Sequence, residues 1–388
     1  MMADFALVEP WHHGRHFLNG PFMPSYSLAK LAGFGRAVIL DGCVLGRDGL
    51  LQAIAEGEYS MVGVTAQTPL RHPAKEILRV AKEAGARTVV GGYHATAMPA
   101  FFDEPYIDHI VRGEGEFWWD RLVRGADVPR VTKILRDTVL DDYPAGDWLA
   151  LLRDPFDHYQ TSHWIDAPGP LFPVALSYGC PGHCIYCMCP FMHGTPHWRS
   201  VGHILEEIQA LYDRGGRAFW FIDECFGIER SWALALCSAL AGFEGLHWLT
   251  FLRADLMQEE LLQAMAGAGC RAVIVGFESA DPEMLRRLGK GAVDVACYDA
   301  GVLEAKAAGI NVSASIMCGL PYETDDHVPL TEAFLARHNL VASGVGATWV
   351  MPGMPLYKLC KRAGLIDDAF WDGPAQFYRY RGGLVWTS

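Results

Sequence analysis

Residues 178–190 read YGCPGHCIYCMCP and place Cys180, Cys184 and Cys187 at the spacing C-x3-C-x2-C. Thiolates so spaced can ligate three irons of a [4Fe–4S] cubane and leave the fourth iron open. A zinc ribbon needs two separated C-x2-C pairs instead, and ferredoxin-type clusters give every iron a cysteine. An open iron is useful only when another molecule binds it. Cys189 adds a fourth thiol, which could lie behind the ligands, face a substrate or simply pack. Packing is the expectation, as for Cys237, Cys297 and Cys318 in their apolar surroundings.

Other reactive side chains close short apolar runs. Asp223 and Glu224 end AFWFIDE (218–224), Arg253 comes near the end of LHWLTFLRAD (246–255), and Glu278 and Ser279 end RAVIVGFES (271–279). CGLPYET (318–324) carries Gly319 and Pro321, and MPGMPLY (351–357) follows a further run. An isolated acidic residue at such a place is more often a helix cap, so the elements around it decide.

Those elements alternate regularly. From LFPVALSY (171–178) to GVGATWVMPG (344–353) the chain shows six strand–helix repeats, with helices at 204–216 and near 231–242, 257–267, 296–308 and 327–339. Six repeats fit a partial (β/α)6 barrel over 172–353, with its chemistry at the strand C-terminal ends. Residues 1–122 alternate too: strands FALVEP, RAVILD, YSMVGVTA and ARTVVGG, with helices GLLQAIAEG and PAKEILRVAKEAG between them. That pattern predicts an α/β, Rossmann-like doubly wound parallel sheet, with ligands beyond the strands' carboxyl ends. Here those ends are the loops around His12, Gly42, Thr65–Thr68, Gly91–Thr96 and Gly113–Glu116. The turn-rich stretch 123–171 reads as a connector across the junction, and 354–388 as a tail over the barrel.

Composition narrows the function. The net charge of −13 argues against a nucleic-acid partner, which needs a basic face. No apolar run approaches the roughly 18 residues of a membrane helix, and MMADFALVEPW lacks the features of a signal peptide. A cytoplasmic protein is expected. Eleven cysteines in 388 residues are too clustered, in too long a chain, for a disulfide framework.

The loop resembles that of the radical S-adenosylmethionine (SAM) superfamily, whose pattern C-x3-C-x-aromatic-C is met with Tyr186 at the aromatic position. The resemblance implies that SAM chelates the open iron and is cleaved to methionine and a 5′-deoxyadenosyl radical. It implies SAM contacts at Tyr186, Asp223, Glu224, Arg253, Glu278, Ser279, Gly319 and Pro321. An external electron donor of flavodoxin or ferredoxin type is implied as well. The run VGVTAQT…GGYHATAMP…DHIVRGEGE resembles the cobalamin-binding domain that precedes many such barrels. On that resemblance Thr65, Gln67, Thr68, Gly91, Gly92, His94, Thr96, Gly113 and Glu114 line the corrinoid site.

DGCVLG (41–46) imitates the D-x-H-x-x-G motif that supplies a histidine to cobalt, with Cys43 in place of His. It follows the second strand rather than the first, so the match is rejected. His12, His13 and His16 follow the first strand, and the cobalt is expected to have no protein histidine below it. The methylthiotransferases pair similar domains but need three cysteines in the N-terminal half, which offers only Cys43.

The implied function is cobalamin-dependent methylation of an unactivated carbon. Cyclisation or oxidative rearrangement without methyl transfer is the alternative, because SYSLAKLAG (25–33) leaves barely two turns where relatives place a full helix. A cobalamin or redox sensor fits less well with so many reactive strand ends. The short tail leaves no room for a further substrate domain, so a small-molecule substrate is expected. Cys189, Trp198, Trp349 and Tyr378 are candidate substrate-facing positions.

Overall fold

The structure, a computed structural model, describes residues 4–11, 23–135, 138–159, 165–290, 293–319, 323 and 325–374. His12, His13, His16, Pro321 and Tyr378 lie outside these residues.

Five strands form the first sheet: β1 (Phe5–Glu9), β2 (Ala37–Asp41), β3 (Met61–Thr65), β4 (Arg87–Gly91) and β5 (His109–Ile110). They are parallel and ordered β2-β1-β3-β4-β5. Strands such as MVGVT are buried along most of their length, as a parallel sheet covered on both faces requires. The helix Arg71–Glu83 buries Ala74, Ile77, Leu78 and Ala81, one stripe at helical spacing. On the other face Trp119 packs so close to β3 that a Cβ on Gly63 would meet its ring at 2.8 Å.

A short antiparallel pair interrupts the second sheet after its first strand. After β6 (Leu171–Val174), β7 (Ser177–Tyr178) pairs with β8 (His197–Trp198). Then come β9 (Ala218–Phe221), β10 (His247–Leu252), β11 (Cys270–Glu278), β12 (Asn311–Cys318) and β13 (Val341–Ala347). All are parallel to β6, in the order β13-β12-β11-β10-β9-β6. β13 thus ends before Trp349, which the sequence pattern had placed inside the strand.

The connector packs across the junction rather than hanging free. Leu151 bridges to Ile39 at one edge of the first sheet, and Val131 and Leu135 bridge to Ile110 and Gly113 at the other. Trp148 packs on Tyr26 of the first domain and Phe172 of the second, with ring centroids 6.2 and 5.5 Å apart. One buried apolar core therefore runs through both sheets. Among the described residues no helix is long and apolar enough to cross a membrane.

Residues past β13 return to the first domain. Arg71 is fully buried and donates to Trp371 O (2.7 Å), Thr68 O (2.8 Å) and Gly373 O (2.7 Å). Its guanidinium also lies over the Trp371 ring, 5.3 Å from the centroid. Burial pulls its pKa down to about 10, and the carbonyls take the place of water around the cation. Arg71→Ala strands those carbonyls and should cost about 2–4 kcal/mol; Trp371→Ala opens a cavity of similar cost, about 3–5 kcal/mol. Both variants should melt earlier by calorimetry and be cut sooner by protease near 364–374. An unchanged melting temperature in both would show that this clasp contributes nothing.

Candidate active site

The cysteine loop is a pinched excursion between β7 and β8. Gly179 begins it at φ +90°, and a Cβ there would sit 2.5 Å from Thr195 O, so only glycine closes the neck. Cys180, Cys184 and Cys187 are all half-buried. A Cβ on Gly182 would lie 3.3 Å from Cys180 Sγ and 3.9 Å from Cys184 Sγ, so the loop wraps between the two sulfurs. Backbone amides already point at sulfur, Gly182 N at Cys180 Sγ and Cys189 N at Cys187 Sγ, both 3.4 Å. Such N–H groups stabilise thiolates bound to iron. Burial pushes the Cys187 thiol up to about 11, a penalty that iron would offset by displacing the proton. Cys189 is buried at the start of the helix Cys189–Met192, and its thiol is pushed far above the ordinary range.

Tyr186 anchors this loop to the fourth strand of the barrel. Its hydroxyl donates to Glu278 Oε1 (3.1 Å), which also receives Lys290 Nζ (3.2 Å). Glu278 sits at φ +62°, beside a register shift in the β11–β12 pairing. That left-handed backbone is costly for a non-glycine residue, and it aims the carboxylate at the loop. Ser279 is fully buried, its Oγ engaged with His327 Nδ1 (2.8 Å) and Asp281 N (2.9 Å). Arg253 is paired bidentately with Asp255 at 3.0 and 2.7 Å. Gly319 follows β12 at φ +70°.

Asp223 corrects the expectation placed on it. It is fully buried, and its carboxylate accepts Leu176 N (2.8 Å), Ser177 N (3.0 Å) and Ser177 Oγ (3.0 Å). Its oxygens brace the entry to the cysteine loop and do not line the cavity. Burial raises its pKa to about 7 against those hydrogen bonds. Glu224, one residue on, does face the cavity.

A cavity of about 1370 Å³ separates the carboxyl edge of the first sheet from the inner face of the barrel. It exceeds the few hundred to about 1,000 Å³ typical of small-ligand sites, as a ligand of corrinoid size demands. Thr65, Gln67, Gly91, Gly92, Gly113 and Glu114 line one wall. Gly92, at φ +90°, has Ala66 N and Thr65 Oγ1 at 3.0 Å from a hypothetical Cβ; any side chain would crowd the wall. Thr68, His94 and Thr96 stand back from the cavity. They are buried behind that wall, where His94 Nδ1 meets Thr68 Oγ1 (3.2 Å) and Thr96 Oγ1 receives Gly113 N (3.0 Å). Burial pushes His94 down to about 3, which keeps it neutral against Trp371. The barrel side offers Pro173, Ala175, Tyr178, Met188, Met192, Trp220, Ile222 and Phe251.

Two family models match the sequence: the radical SAM superfamily over 174–335 and the B12 binding domain over 23–119. Residues 174–335 form a radical SAM domain. The N-terminal domain is a B12-binding domain, and the cofactors that follow are a [4Fe–4S] cluster, SAM and cobalamin. The chain is 28% identical over 405 residues to an uncharacterized methyltransferase of Pyrococcus horikoshii, covering 96% of this chain and 86% of that one. A bacteriochlorophyllide d C-12(1)-methyltransferase of Chlorobaculum tepidum is 23% identical over 313 residues, 78% and 66% of the two chains. The fold is shared with the radical SAM methyltransferase TsrM of Kitasatospora setae, solved with cobalamin and a [4Fe–4S] cluster. That match has a TM-score of 0.73 and 18% identity over 94% of this chain and 79% of that one.

Several cavity residues of this radical SAM protein escaped the sequence pattern. Trp198 and Trp349, the expected aromatic walls, do not line the cavity, whereas Trp220 and Phe251 do. Period-two alternation in AFWFID puts Trp220 and Ile222 on one strand face, a signal that was available. Glu9, Asp41 and Cys43 line it too, at the ends of β1 and β2. His193 stands between domains, its Nδ1 3.6 Å from Glu114 Oε1 and its Nε2 3.4 Å from Glu224 Oε1. Against the cost of burial, His193, His197 and Thr138 hold the Glu114 carboxyl down at about 2. Replacing Cys180, Cys184 and Cys187 together by Ala should abolish cluster binding, read as iron, sulfide and visible absorption. Cys189→Ala should keep the cluster; a cluster that survives the triple change would refute the ligand assignment.

Proposed function

We propose that this protein methylates an unactivated carbon of a small molecule, using one cavity to bring its two cofactor domains together. The observation that carries the reading is the shared cavity: residues of the first sheet's carboxyl edge and of the barrel's inner face line the same space. Cluster and SAM, when bound, supply a carbon-centred radical, and cobalamin supplies the methyl group.

The chain's own residues have positioning tasks. Cys180, Cys184 and Cys187 would hold the cluster, and Tyr186 with Glu278 fixes the loop against the barrel. Glu224, Arg253, Glu278, Ser279 and the segment around Gly319 are the strand-end positions proposed for SAM; Arg253 would have to exchange Asp255 for a ligand carboxylate. Thr65, Gln67, Gly91, Gly92, Gly113 and Glu114 are proposed to hold the corrinoid. Trp220, Ile222 and Phe251 keep water from the space where a radical would be quenched. Reduction of the cluster would come from an external donor of flavodoxin or ferredoxin type.

Cyclisation or rearrangement without methyl transfer is the second reading, favoured by the helix Tyr26–Ala32, only seven residues long, on the cavity wall. Anaerobic reconstitution with iron, sulfide and hydroxocobalamin separates the two. Methylation requires stoichiometric corrinoid beside the cluster, together with reductant-dependent formation of 5′-deoxyadenosine from SAM. Gly92→Val should lose corrinoid and keep the cluster. A cluster without corrinoid in the unaltered protein would sink the methyltransferase reading and leave the radical one.

A further inference from the structure

The cavity carries a marked charge imbalance. Glu9, Asp41, Glu114, Glu116 and Glu224 line it, and among the described residues no lysine or arginine does. Two of these acids are accounted for. Burial and Asp41 push Glu9 up to about 8, so it is largely neutral at pH 7. Asp41 accepts Cys43 N and Tyr159 OH. The other three converge where the barrel meets the first domain. Tyr178 donates to Glu116 Oε1 (3.1 Å). Glu224 Oε2 is buried without a hydrogen bond. Glu114 is the sharpest case: its side chain is 1% exposed, Oε2 accepts from Thr138 Oγ1, and Oε1 has no hydrogen-bond partner. The neighbouring imidazoles stand 3.4 and 3.6 Å off, beyond good hydrogen-bond range. His193 and His197 beside Glu114 and Lys30 acting on Glu116 from behind the wall compensate these carboxylates only in part, and buried charge that is incompletely compensated is costly.

Beside this corner the barrel wall is apolar. Trp220 is nearly buried, and its ring lies 5.5 Å from that of Phe251. Pro173 and Ile222 continue the wall, and the pliable side chains of Met188 and Met192 edge it.

We propose that the substrate carries a cationic nitrogen, seated on Glu114 and Glu116, and an apolar ring lying on Trp220 and Phe251. The inference rests on the function proposed above and names its substrate class. A cation restores neutrality in the corner, and a flat body covers the aromatic wall without a polar atom to desolvate. The SAM amino group or corrinoid amides are the other nitrogens that could meet these carboxylates, so the test occupies both sites first.

The full chain is loaded with cluster and hydroxocobalamin, read from its visible spectrum, and with saturating S-adenosylhomocysteine, its occupancy checked by calorimetric titration. Binding of 2-phenylethylamine, 2-phenylethanol and 3-phenylpropionate is then measured by saturation-transfer NMR titration. The amine should bind about ten-fold more tightly than the alcohol, with the acid weakest. Glu116→Gln should reduce the amine to the alcohol's affinity and leave the alcohol unchanged, and Glu114→Gln should do the same when compared at equal corrinoid loading. Trp220→Ala should weaken amine and alcohol alike. An acid that binds as well as the amine, a preference that survives both glutamine variants, or no binding of any probe would overturn the proposal. So would an amine preference seen only without S-adenosylhomocysteine, because the cation seat would then belong to SAM. Failure to load corrinoid counts against the proposed methylation and is seen before any probe is added.

Discussion

A buried ion pair, Arg199–Glu207, joins the parts on which this architecture depends. The two groups meet at 2.8 Å with side chains 2% and 0% exposed. Arg199 also donates to Ala175 O, at the end of the first barrel strand, and to Tyr26 OH of the N-terminal domain. Glu207 receives Trp148 Nε1 from the connector. First domain, connector and barrel therefore share one buried polar node. Such a pair costs desolvation and gains little over a hydrophobic packing, but losing either partner leaves a bare buried charge. The penalty for separating the domains is correspondingly steep. That rigidity matters because each sheet offers only half a cavity.

The carboxyl edges of two parallel sheets have to face each other, and the chain holds them from several sides. The Arg199 node and the Tyr26–Trp148–Phe172 stack hold one side. The Arg71 clasp pins the C-terminal segment behind the β3 and β4 loops. Between them Tyr93 OH donates to Pro352 O, linking a cavity-lining residue of the first domain to the end of the barrel. Thr68 and His94 thus support the wall from behind while their neighbours Gln67, Gly92 and Tyr93 face the cavity.

That alternation explains what could and could not be read from the sequence. The cysteine loop was legible because three ligands within eight residues carry their own geometry. Alternating strands and helices were legible because hydrophobic period survives without tertiary information. Which strand-end side chain turns toward the ligand was not, since adjacent residues point opposite ways. Asp223 against Glu224, and Thr68 against Gln67, are each a one-residue difference that only the fold decides. Trp220 lay hidden among twelve tryptophans although its alternation with Ile222 marked its face. Arg71 and Trp371 meet across 300 residues, and no local pattern announces such a contact.

Charge is distributed around the site with a consistent logic. The cations near the cluster loop are Arg253, just past β10, and Lys290, whose ammonium reaches the end of β11; both already hold carboxylates. Glu278 keeps Lys290 protonated despite its burial, since a bare buried ammonium would shed its proton. Coulombic attraction from Arg253 reaches Cys180 as well. These cations lie where three thiolates and a carboxylate-bearing ligand would gather negative charge. The cavity beyond them has the opposite balance: five carboxyl side chains line it and, among the described residues, no lysine or arginine does. A cation drawn to the cavity therefore meets neither on its lining among the described residues, and a carboxylate is favoured at the barrel's strand ends. The two polarities divide one continuous space by charge: a carboxylate is drawn to the strand ends, and a cation to Glu114 and Glu116.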